Sequence, residues 1–322
     1  MRDVRGKLAV VTGGGTGMGR ELARQLAATG CHVALCDVSL ATMTETKALC
    51  EAEAPAGTRV SLALCDVSVE QEVLAFRDAV RAVHATDRIQ LLFNNAGIGG
   101  GGSLIADDRA EWDKTFGVCW GGVYFCTRAF LPMLLASDEA VIVNMSSVNG
   151  FWACLGPRTA HTAYSAAKFA VKGFSEALIT DLRLHAPHVR VAVVMPGHVG
   201  TSIVMNTNRV LRNGDFASMS AADVGRVRGV LRLRGLPVDA MSDDELRAAM
   251  QQMAIVFRDH APTSAARAAA IILDGVRAGA WRILVGDDAV ALDRAVRADP
   301  SLAYEERFMQ ALQAEGHMQL IG

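Results

Sequence analysis

The chain has 322 residues, of which 51% are hydrophobic and 20% are charged, with a formal net charge of -2. These values allow one large core and exclude the strongly basic surface that binding to nucleic acid requires. The apolar runs fall short of the about 20 residues of a membrane span, and the first residues lack a signal peptide's apolar core. An odd count of seven cysteines without a Cys-x-x-Cys pair favours reduced thiols. We therefore expect a cytoplasmic protein that binds neither nucleic acid nor membrane.

Short apolar runs alternate along the chain with longer segments of helical pattern. The runs that we predict to be strands are Lys7–Thr12, His32–Asp37, Arg59–Cys65, Ile89–Phe93, Ala140–Met145, Val189–Met195 and Trp281–Val285. They are almost continuously apolar, which is typical of parallel strands covered on both faces. The alternation predicts an α/β fold with a doubly wound, Rossmann-type parallel sheet of about seven strands.

Two stretches have the spacing of a capping box and therefore predict where helices begin. They are Ser68-Val-Glu-Gln71 and Ser242-Asp-Asp-Glu245. After the second, apolar residues at helical spacing predict one apolar face, formed by Leu246, Met250, Met253 and Phe257. This helix lies in a stretch between residue 197 and about residue 260 that shows no clear strand, and we interpret that stretch as a helical insertion.

A glycine-rich turn, Thr12-Gly-Gly-Gly-Thr-Gly-Met-Gly19, joins the first strand to a helix. Its glycines let backbone N–H groups and the helix N-terminus approach a pyrophosphate. Asp37 ends the second strand, where a carboxylate accepts both hydroxyls of an adenosine ribose and repels a 2′-phosphate. The pattern predicts a dinucleotide site that prefers NAD to NADP. Asp66, at the end of the third strand, is placed either to meet the adenine or to cap the next helix.

Three residues in the middle of the chain have the chemistry that carbonyl reduction requires. Tyr164 and Lys168 lie four residues apart in a predicted helix, which places them on one helix face. A tyrosine has a pKa of about 10, and a neighbouring lysine cation brings that pKa toward the working range of a proton donor or acceptor. Ser147, at the end of the fifth strand, can hold the substrate oxygen, and the adjacent Ser146 is the alternative.

Taken in order, these motifs resemble those of the short-chain dehydrogenase/reductase family. The resemblance extends from about Lys7 to Thr201, with a looser match at Pro262–Gly286. It rests on the glycine turn, Asp66-Val67, Asn94-Asn-Ala-Gly97, Ser147, Tyr164-Ser-Ala-Ala-Lys168 and Pro196-Gly-His-Val-Gly-Thr201. It implies an NAD(P)-dependent alcohol dehydrogenase or carbonyl reductase that acts on a small molecule as a homodimer or homotetramer.

The resemblance also implies roles for individual residues. Tyr164 would be the general acid/base, Ser147 would bind the substrate oxygen, and Lys168 would lower the tyrosine pKa and hold the nicotinamide ribose. Val199, through its backbone, and Thr201 would meet the carboxamide. The full set of expected cofactor-binding residues is Gly13, Thr16, Gly17, Met18, Gly19, Asp37, Asp66, Val67, Asn94, Ala96, Gly97, Tyr164, Lys168, Pro196, Gly197, Val199 and Thr201.

Two departures from the family pattern concern the active site. At the position of Cys119 the family usually has Asn, which marks a distorted helix and whose backbone carbonyl holds a water of the proton relay. We expect the thiol to be a passive filler that leaves this carbonyl in place, and a redox-sensitive thiol is the alternative. The loop before Tyr164 is longer than usual and carries Pro157-Arg-Thr-Ala-His161, in which we interpret His161 as a loop residue without a chemical role.

These expectations describe a single domain over residues 1–322. We assign 1–200 to the cofactor-binding and catalytic core, 201–260 to a substrate lid, 261–286 to a closing helix and strand, and 287–322 to a helical tail. Apolar lid residues favour a hydrophobic, medium-sized alcohol or ketone, and they are Ile203, Val204, Met205, Met250 and Met253. Four lid arginines are interpreted as a solvated face, with attraction of an acidic substrate as the alternative: Arg226, Arg228, Arg232 and Arg234.

Other classes of function are weighed against this one. The eight histidines show no ligand spacing, so we expect no metal. A cofactor-sensing or scaffold protein that has kept the fold but lost turnover is favoured mildly by Cys119 and opposed by the intact Ser147, Tyr164 and Lys168. A nucleotide-sugar epimerase or dehydratase usually has Gly-x-x-Gly-x-x-Gly in the phosphate turn, a spacing that this chain lacks.

Overall fold

Seven parallel strands form the central sheet of the computed structural model, which describes residues 1, 3–155, 159–233 and 235–316. The strands are β1 Leu8–Thr12, β2 His32–Asp37, β3 Val60–Leu64, β4 Leu91–Asn94, β5 Ala140–Met145, β6 Val189–Pro196 and β9 Arg282–Val285. Their order is β3-β2-β1-β4-β5-β6-β9, and every neighbouring pair is parallel. The predicted fold class and all seven predicted strands are confirmed.

Helices cover both faces of this sheet, which explains why its strands are apolar throughout. The helices of the described part are α1 Gly17–Ala28, α2 Leu40–Glu53, α3 Glu70–His84, α4 Arg109–Phe116, α5 Gly122–Leu135, α6 Thr162–His185, α7 Ile203–Arg212, α8 Ala221–Leu233, α9 Asp243–Asp259, α10 Ala265–Ala278, α11 Asp287–Ala298 and α12 Glu306–Ala314. One buried cluster joins the sheet to α1, α2 and α10, and a second joins it to α3, α5 and α6. The carboxyl ends of β1 and β4, where the strand order reverses, are where such folds bind ligands.

A single helical stretch, Arg109–Leu135, contains α4, α5 and a π-helical turn at Gly117–Gly121 between them. By length and composition this stretch could cross a membrane. However, 56% of its most apolar window is buried inside the protein, as in the core helix of a globular fold.

The insertion between β6 and β9 contains α7, α8 and α9. Two-residue strands that the sequence did not predict, β7 Val199–Gly200 and β8 Thr263–Ser264, pair at its base. Phe216, Met219 and Val224 belong to a small buried cluster of its own. The capping box at Ser242 is confirmed, because its side chain and that of Glu245 bond each other's backbone N–H groups.

One local prediction is wrong, and the apolar face predicted for α9 is only partly buried. The capping box at Ser68 does not form, because the Asp66 carboxylate accepts the Ser68 hydroxyl and N–H at 2.6 and 3.0 Å, and α3 begins only at Glu70. On α9, Met253 is 45% exposed and Ala254 is buried in its place. Residues spaced by four share a helix face, so Ala254 continues the buried line of positions 246 and 250.

The segment after β9 packs back onto the domain. It consists of α11, a 3-10 turn at Pro300–Leu302 and α12. A third buried cluster, which includes Leu292 and Phe308, holds it against Trp152 in the loop that follows β5. The segment therefore contacts the loops at the carboxyl ends of the strands, where the predicted site residues also lie.

Candidate active site

A cavity opens at the carboxyl ends of the strands, next to the glycine turn. Predicted residues that line it are Gly13, Thr16, Gly17, Met18, Asp37, Asp66, Val67, Ala96, Gly97 and Thr201. Ile203, which was predicted for the lid, also lines it. The lining residues that were not predicted are Val38, Ser39, Thr42, Cys65, Asn95, Ile98, Lys114, Val118, Asn206, Arg209 and Val210. Segments distant in sequence, including both ends of the predicted dinucleotide motif, thus converge on one cavity.

The shape of the glycine turn is set by close contacts. Gly13 and Gly17 have φ angles of 65° and 54°, which side chains rarely adopt, and a Cβ at Gly13 would lie 2.8 Å from the Cα of Ala96. The Thr12 hydroxyl accepts the N–H groups of Asn95 and Ala96, each at 3.0 Å. The turn after β1 is therefore fixed against the loop after β4, which leaves a cradle of the kind that a pyrophosphate fits.

Asp37 lies at one end of this cavity. Its carboxylate accepts the N–H of Gly15 at 3.0 Å and the N–H of Ser39 at 3.2 Å, while burial raises its pKa. Arg20, the cation that follows the glycine turn, donates to the Gly15 carbonyl at 2.7 Å and pairs with Glu45 at 2.8 Å. Its charge is therefore directed to groups other than the Asp37 carboxylate.

Asp66 lies in the cavity and forms an ion pair with Lys114, which also donates to the Ser68 hydroxyl at 2.9 Å. Burial acts to raise the pKa of Asp66, but the hydrogen bonds from Lys114 and Ser68 outweigh it and the pKa falls below its usual value. Asp66 does not cap α3, whose N-cap residue is Val69. The capping interpretation is therefore wrong, and the contact with an adenine stays a prediction.

The structure brings Ser147, Tyr164 and Lys168 together at the ends of β5 and the start of α6. The Ser147 hydroxyl interacts with the Tyr164 side chain and acts to lower the pKa of that tyrosine. The Lys168 ammonium lies 5.3 Å from the centre of the Tyr164 ring and donates to the Met145 carbonyl at 2.7 Å. The Ser146 hydroxyl instead donates to the Lys168 carbonyl at 2.8 Å, which favours Ser147 as the oxygen-binding residue.

Burial controls the ionisation of this group. It raises the pKa of Tyr164 well above its usual value, although the Ser147 hydroxyl opposes the effect, and it lowers the pKa of Lys168. The expected lowering of the tyrosine pKa by the lysine is therefore not found in this structure. The reason is that removal from water destabilises the charged forms of both side chains.

Cys119 is fully buried in the middle of the π-helical turn, so the helix distortion that the family resemblance implied is present despite the loss of Asn. Its thiol donates to the Ile98 carbonyl at 3.1 Å. A Cβ built on Gly97 would lie 3.7 Å from the Cys119 sulfur and 3.6 Å from the Lys168 ammonium. The thiol is therefore a neighbour of Lys168, and its passive role remains a prediction.

Some predicted residues lie outside the cavity wall. Asn94 does not line the cavity, because its buried side chain donates to Asn144 at 2.8 Å and to Thr127 at 3.0 Å, while Asn95 lines the cavity. A contact between Asn94 and the cofactor stays a prediction. A Cβ on Gly19 would meet the Gly13 carbonyl oxygen at 2.1 Å, so Gly19 serves the packing of the turn. The others that do not line the cavity are Tyr164, Lys168, Pro196, Gly197 and Val199.

Helix α7 supplies cavity residues that the sequence did not reveal. The Asn206 amide donates to the Thr16 hydroxyl at 2.9 Å, and Arg209 donates to the Asn206 side-chain carbonyl at 3.2 Å. Of the predicted apolar lid residues, only Ile203 lines the cavity. The others are placed differently, since Val204, Met205 and Met250 pack in the insertion's own core and Met253 is exposed.

The remaining polar candidates are also placed by the structure. The His161 ring packs against the Tyr164 ring with centres 4.7 Å apart, while positions 156–158 of its loop lie outside the described residues.

Three lid arginines pair with aspartates, and these pairs are Arg226–Asp108, Arg228–Asp243 and Arg232–Asp239. Arg234 lies outside the described residues. Within the described part of the chain, no three His, Cys, Asp or Glu side chains are arranged to hold a metal ion.

The strand order, the glycine turn and the Ser147–Tyr164–Lys168 group define a Rossmann-type α/β protein with a cofactor-sized site at its strand ends. A family model described as short chain dehydrogenase matches residues 7–211. The SadH protein of Mycobacterium tuberculosis is 33% identical, with 91% of each chain covered. Human dehydrogenase/reductase SDR family member 11 is 31% identical and covers 62% of this chain and 76% of its own. The chain belongs to the short-chain dehydrogenase/reductase family of oxidoreductases.

Solved structures agree with this assignment. A short-chain dehydrogenase/reductase from Burkholderia phymatum, crystallised with NAD, superposes with a TM-score of 0.73 at 30% identity and covers 94% of this chain and 96% of its own. A metagenomic short-chain oxidoreductase in complex with NADP superposes with a TM-score of 0.53 at 28% identity, with 78% and 92% covered. Both of these family members, one in complex with NAD and the other with NADP, share the fold described above.

Proposed function

We propose that this protein is an NAD(H)-dependent alcohol dehydrogenase or carbonyl reductase. The observation that carries the proposal is the convergence of Ser147, Tyr164 and Lys168 beside a cavity whose far end holds Asp37. The NAD and NADP complexes of similar proteins support a nicotinamide cofactor. Asp37 supports the choice of NAD, because a carboxylate at the ribose repels a 2′-phosphate.

The residues of the cavity fit such a cofactor. The glycine turn would receive the pyrophosphate, and Arg209 and Asn206 on α7 line the same cavity and would contact it. Asp37 would bind the adenosine ribose and Asp66 the adenine. When bound, a nicotinamide supplies hydride to the substrate carbon or accepts it from there. The chain's own residues then have to hold the substrate oxygen and move its proton.

Ser147 and Tyr164 would perform this second task. Their side chains interact with each other, so a carbonyl oxygen bound next to both hydroxyls would accept a hydrogen bond from each. In the reduction direction, Tyr164 donates its proton to that oxygen as the alkoxide forms. Lys168 lies beside the ring and stabilises the resulting phenolate, so a proton can be returned to Tyr164 after turnover.

We propose a hydrophobic, medium-sized alcohol or ketone as the substrate. Ile203, the apolar lid residue that reaches the cavity wall, supports this choice. The lid arginines do not favour an acidic substrate, because those in the described part are paired with aspartates. A panel of alcohols with NAD, and of ketones with NADH, followed by absorbance of the reduced cofactor, tests the proposal. NADH binding without turnover of any compound would contradict it and favour the cofactor-sensing alternative.

The raised pKa of Tyr164 predicts opposite pH dependences for the two directions. Because the phenol keeps its proton near neutrality, carbonyl reduction should be independent of pH there and fall only above the tyrosine pKa. Alcohol oxidation needs the phenolate, so its kcat/KM should rise about tenfold per pH unit from about pH 6 upward. Steady-state rates with one alcohol/ketone pair measure both profiles. An oxidation rate that is flat over this range would exclude Tyr164 as the group whose ionisation limits the reaction.

Substitution of Cys119 should have little effect. Ser keeps a donor for the Ile98 carbonyl, and Asn is close to the thiol in size, so Cys119→Ser and Cys119→Asn should retain kcat within about threefold of wild type. Peroxide should not inactivate the wild type, because the thiol is fully buried. Inactivation by peroxide that Cys119→Ser resists would instead identify a redox-sensitive thiol.

A further inference from the structure

Asp288, the second residue of α11, is a buried carboxylate that the proposed chemistry does not use. Asp288 is only 5% exposed. One oxygen accepts the backbone N–H of His198 at 2.6 Å, and the other is buried without a partner among the described residues. Burial of a carboxylate costs free energy, and the hydrogen bond from the His198 N–H is the interaction that offsets part of this cost.

His198 lies in the turn Pro196–Thr201, directly after β6. Gly197 donates its N–H to the Val285 carbonyl at 3.0 Å, and a Cβ at Gly197 would lie only 2.2 Å from an Asp288 oxygen. The His198 ring nitrogen Nε2 lies 2.8 Å from the Phe257 carbonyl oxygen of α9. The turn is therefore held by the insertion on one side and by Asp288 on the other.

The segment that carries Asp288 is itself anchored at the active site. The Trp152 indole N–H, in the loop after Ser147, donates to the Ala303 carbonyl at 2.6 Å. Its ring is fully buried and packs 6.0 Å from the Phe308 ring, centre to centre. The C-terminal segment thus bridges the loops that follow β5 and β6, which keeps Asp288 in a fixed place.

We propose that Asp288 is a positioning residue for the nicotinamide half of the cofactor site. The inference rests on the proposed function and on the role that the family resemblance implies for Val199 and Thr201, which would meet the carboxamide. Asp288 fixes the turn from which both residues project, and Thr201 lines the cavity. Loss of the carboxylate leaves a buried N–H without an acceptor, so the turn moves to satisfy it. The adenosine half of the site, at Asp37, lies on β2 and is not affected.

Binding of NADH and of ADP-ribose, which lacks only the nicotinamide, tests this inference by calorimetry without any turnover. Asp288→Ala should weaken NADH binding about tenfold or more and leave ADP-ribose binding within about twofold. Gly197→Ala should produce the same selective loss, because its Cβ displaces the turn from the Asp288 side. This second variant keeps the test decisive if Asp288→Ala does not fold.

Asp293→Ala is the matched control. Asp293 is a buried carboxylate on the same helix, but it pairs with Arg282 and Arg297 and does not contact the turn. Its loss should lower the melting temperature and leave the ratio of the two affinities unchanged. Equal losses of NADH and ADP-ribose in Asp288→Ala and Gly197→Ala, or no loss in either, would overturn the inference. A wild type that binds both ligands but turns over no alcohol or ketone would contradict only the proposed function.

Discussion

Tyr164→Phe should lower kcat for carbonyl reduction by about 10²–10⁴-fold and leave NADH affinity nearly unchanged. The substitution removes one hydroxyl, the group that interacts with Ser147, and keeps the ring that packs against His161. The shape of the site is therefore retained while the proton donor is lost. Steady-state kinetics and a separate NADH titration distinguish the two effects.

Tyr124→Phe is the matched control for this substitution. Tyr124 is partly exposed on α5, and its ring stacks on Trp120, so loss of its hydroxyl should leave kcat unchanged. Lys168→Ala should impair both turnover and NADH binding, since this residue is expected to contact the ribose as well as the phenolate. A Tyr164→Phe variant that keeps more than about a tenth of the wild-type rate would rule out the general acid/base assignment.

Replacement of Asp37 by Asn should lower the preference for NAD over NADP by about 100-fold. Asn keeps the size of the side chain and an acceptor for the Gly15 N–H, but it removes the charge that repels a 2′-phosphate. Arg20 cannot take over the neutralising role in the wild type, because it is bonded to the Gly15 carbonyl and to Glu45. The ratio of kcat/KM values for the two cofactors measures this preference.

The control for this prediction is Asp66→Asn. Asp66 is also a carboxylate of the cavity, but Lys114 already balances its charge. Its replacement should change the affinity for both cofactors to the same extent and leave their ratio intact. Equal catalytic efficiency of the wild type with NAD and NADP would show that Asp37 does not face the ribose.

The sequence by itself determined the features that depend on residues close together in the chain. Apolar runs of strand length fixed the seven strands, and the run of glycines marked the turn after β1 because few other residues tolerate its backbone angles. The spacing of Tyr164 and Lys168 placed both on one helix face, since four residues make about one turn. Ser147 follows β5 directly, so the prediction of a parallel sheet also placed it at the carboxyl ends of the strands.

Only the tertiary structure decided which side chains face the cavity and what their surroundings do to them. It directs Asn95 rather than Asn94 toward the cavity, and it brings α7 of the insertion against Thr16. These outcomes depend on packing between segments far apart in the chain, for which no local pattern exists. The same holds for the raised pKa of Tyr164, which burial causes, and for the bond between Asp288 and His198, which spans 90 residues.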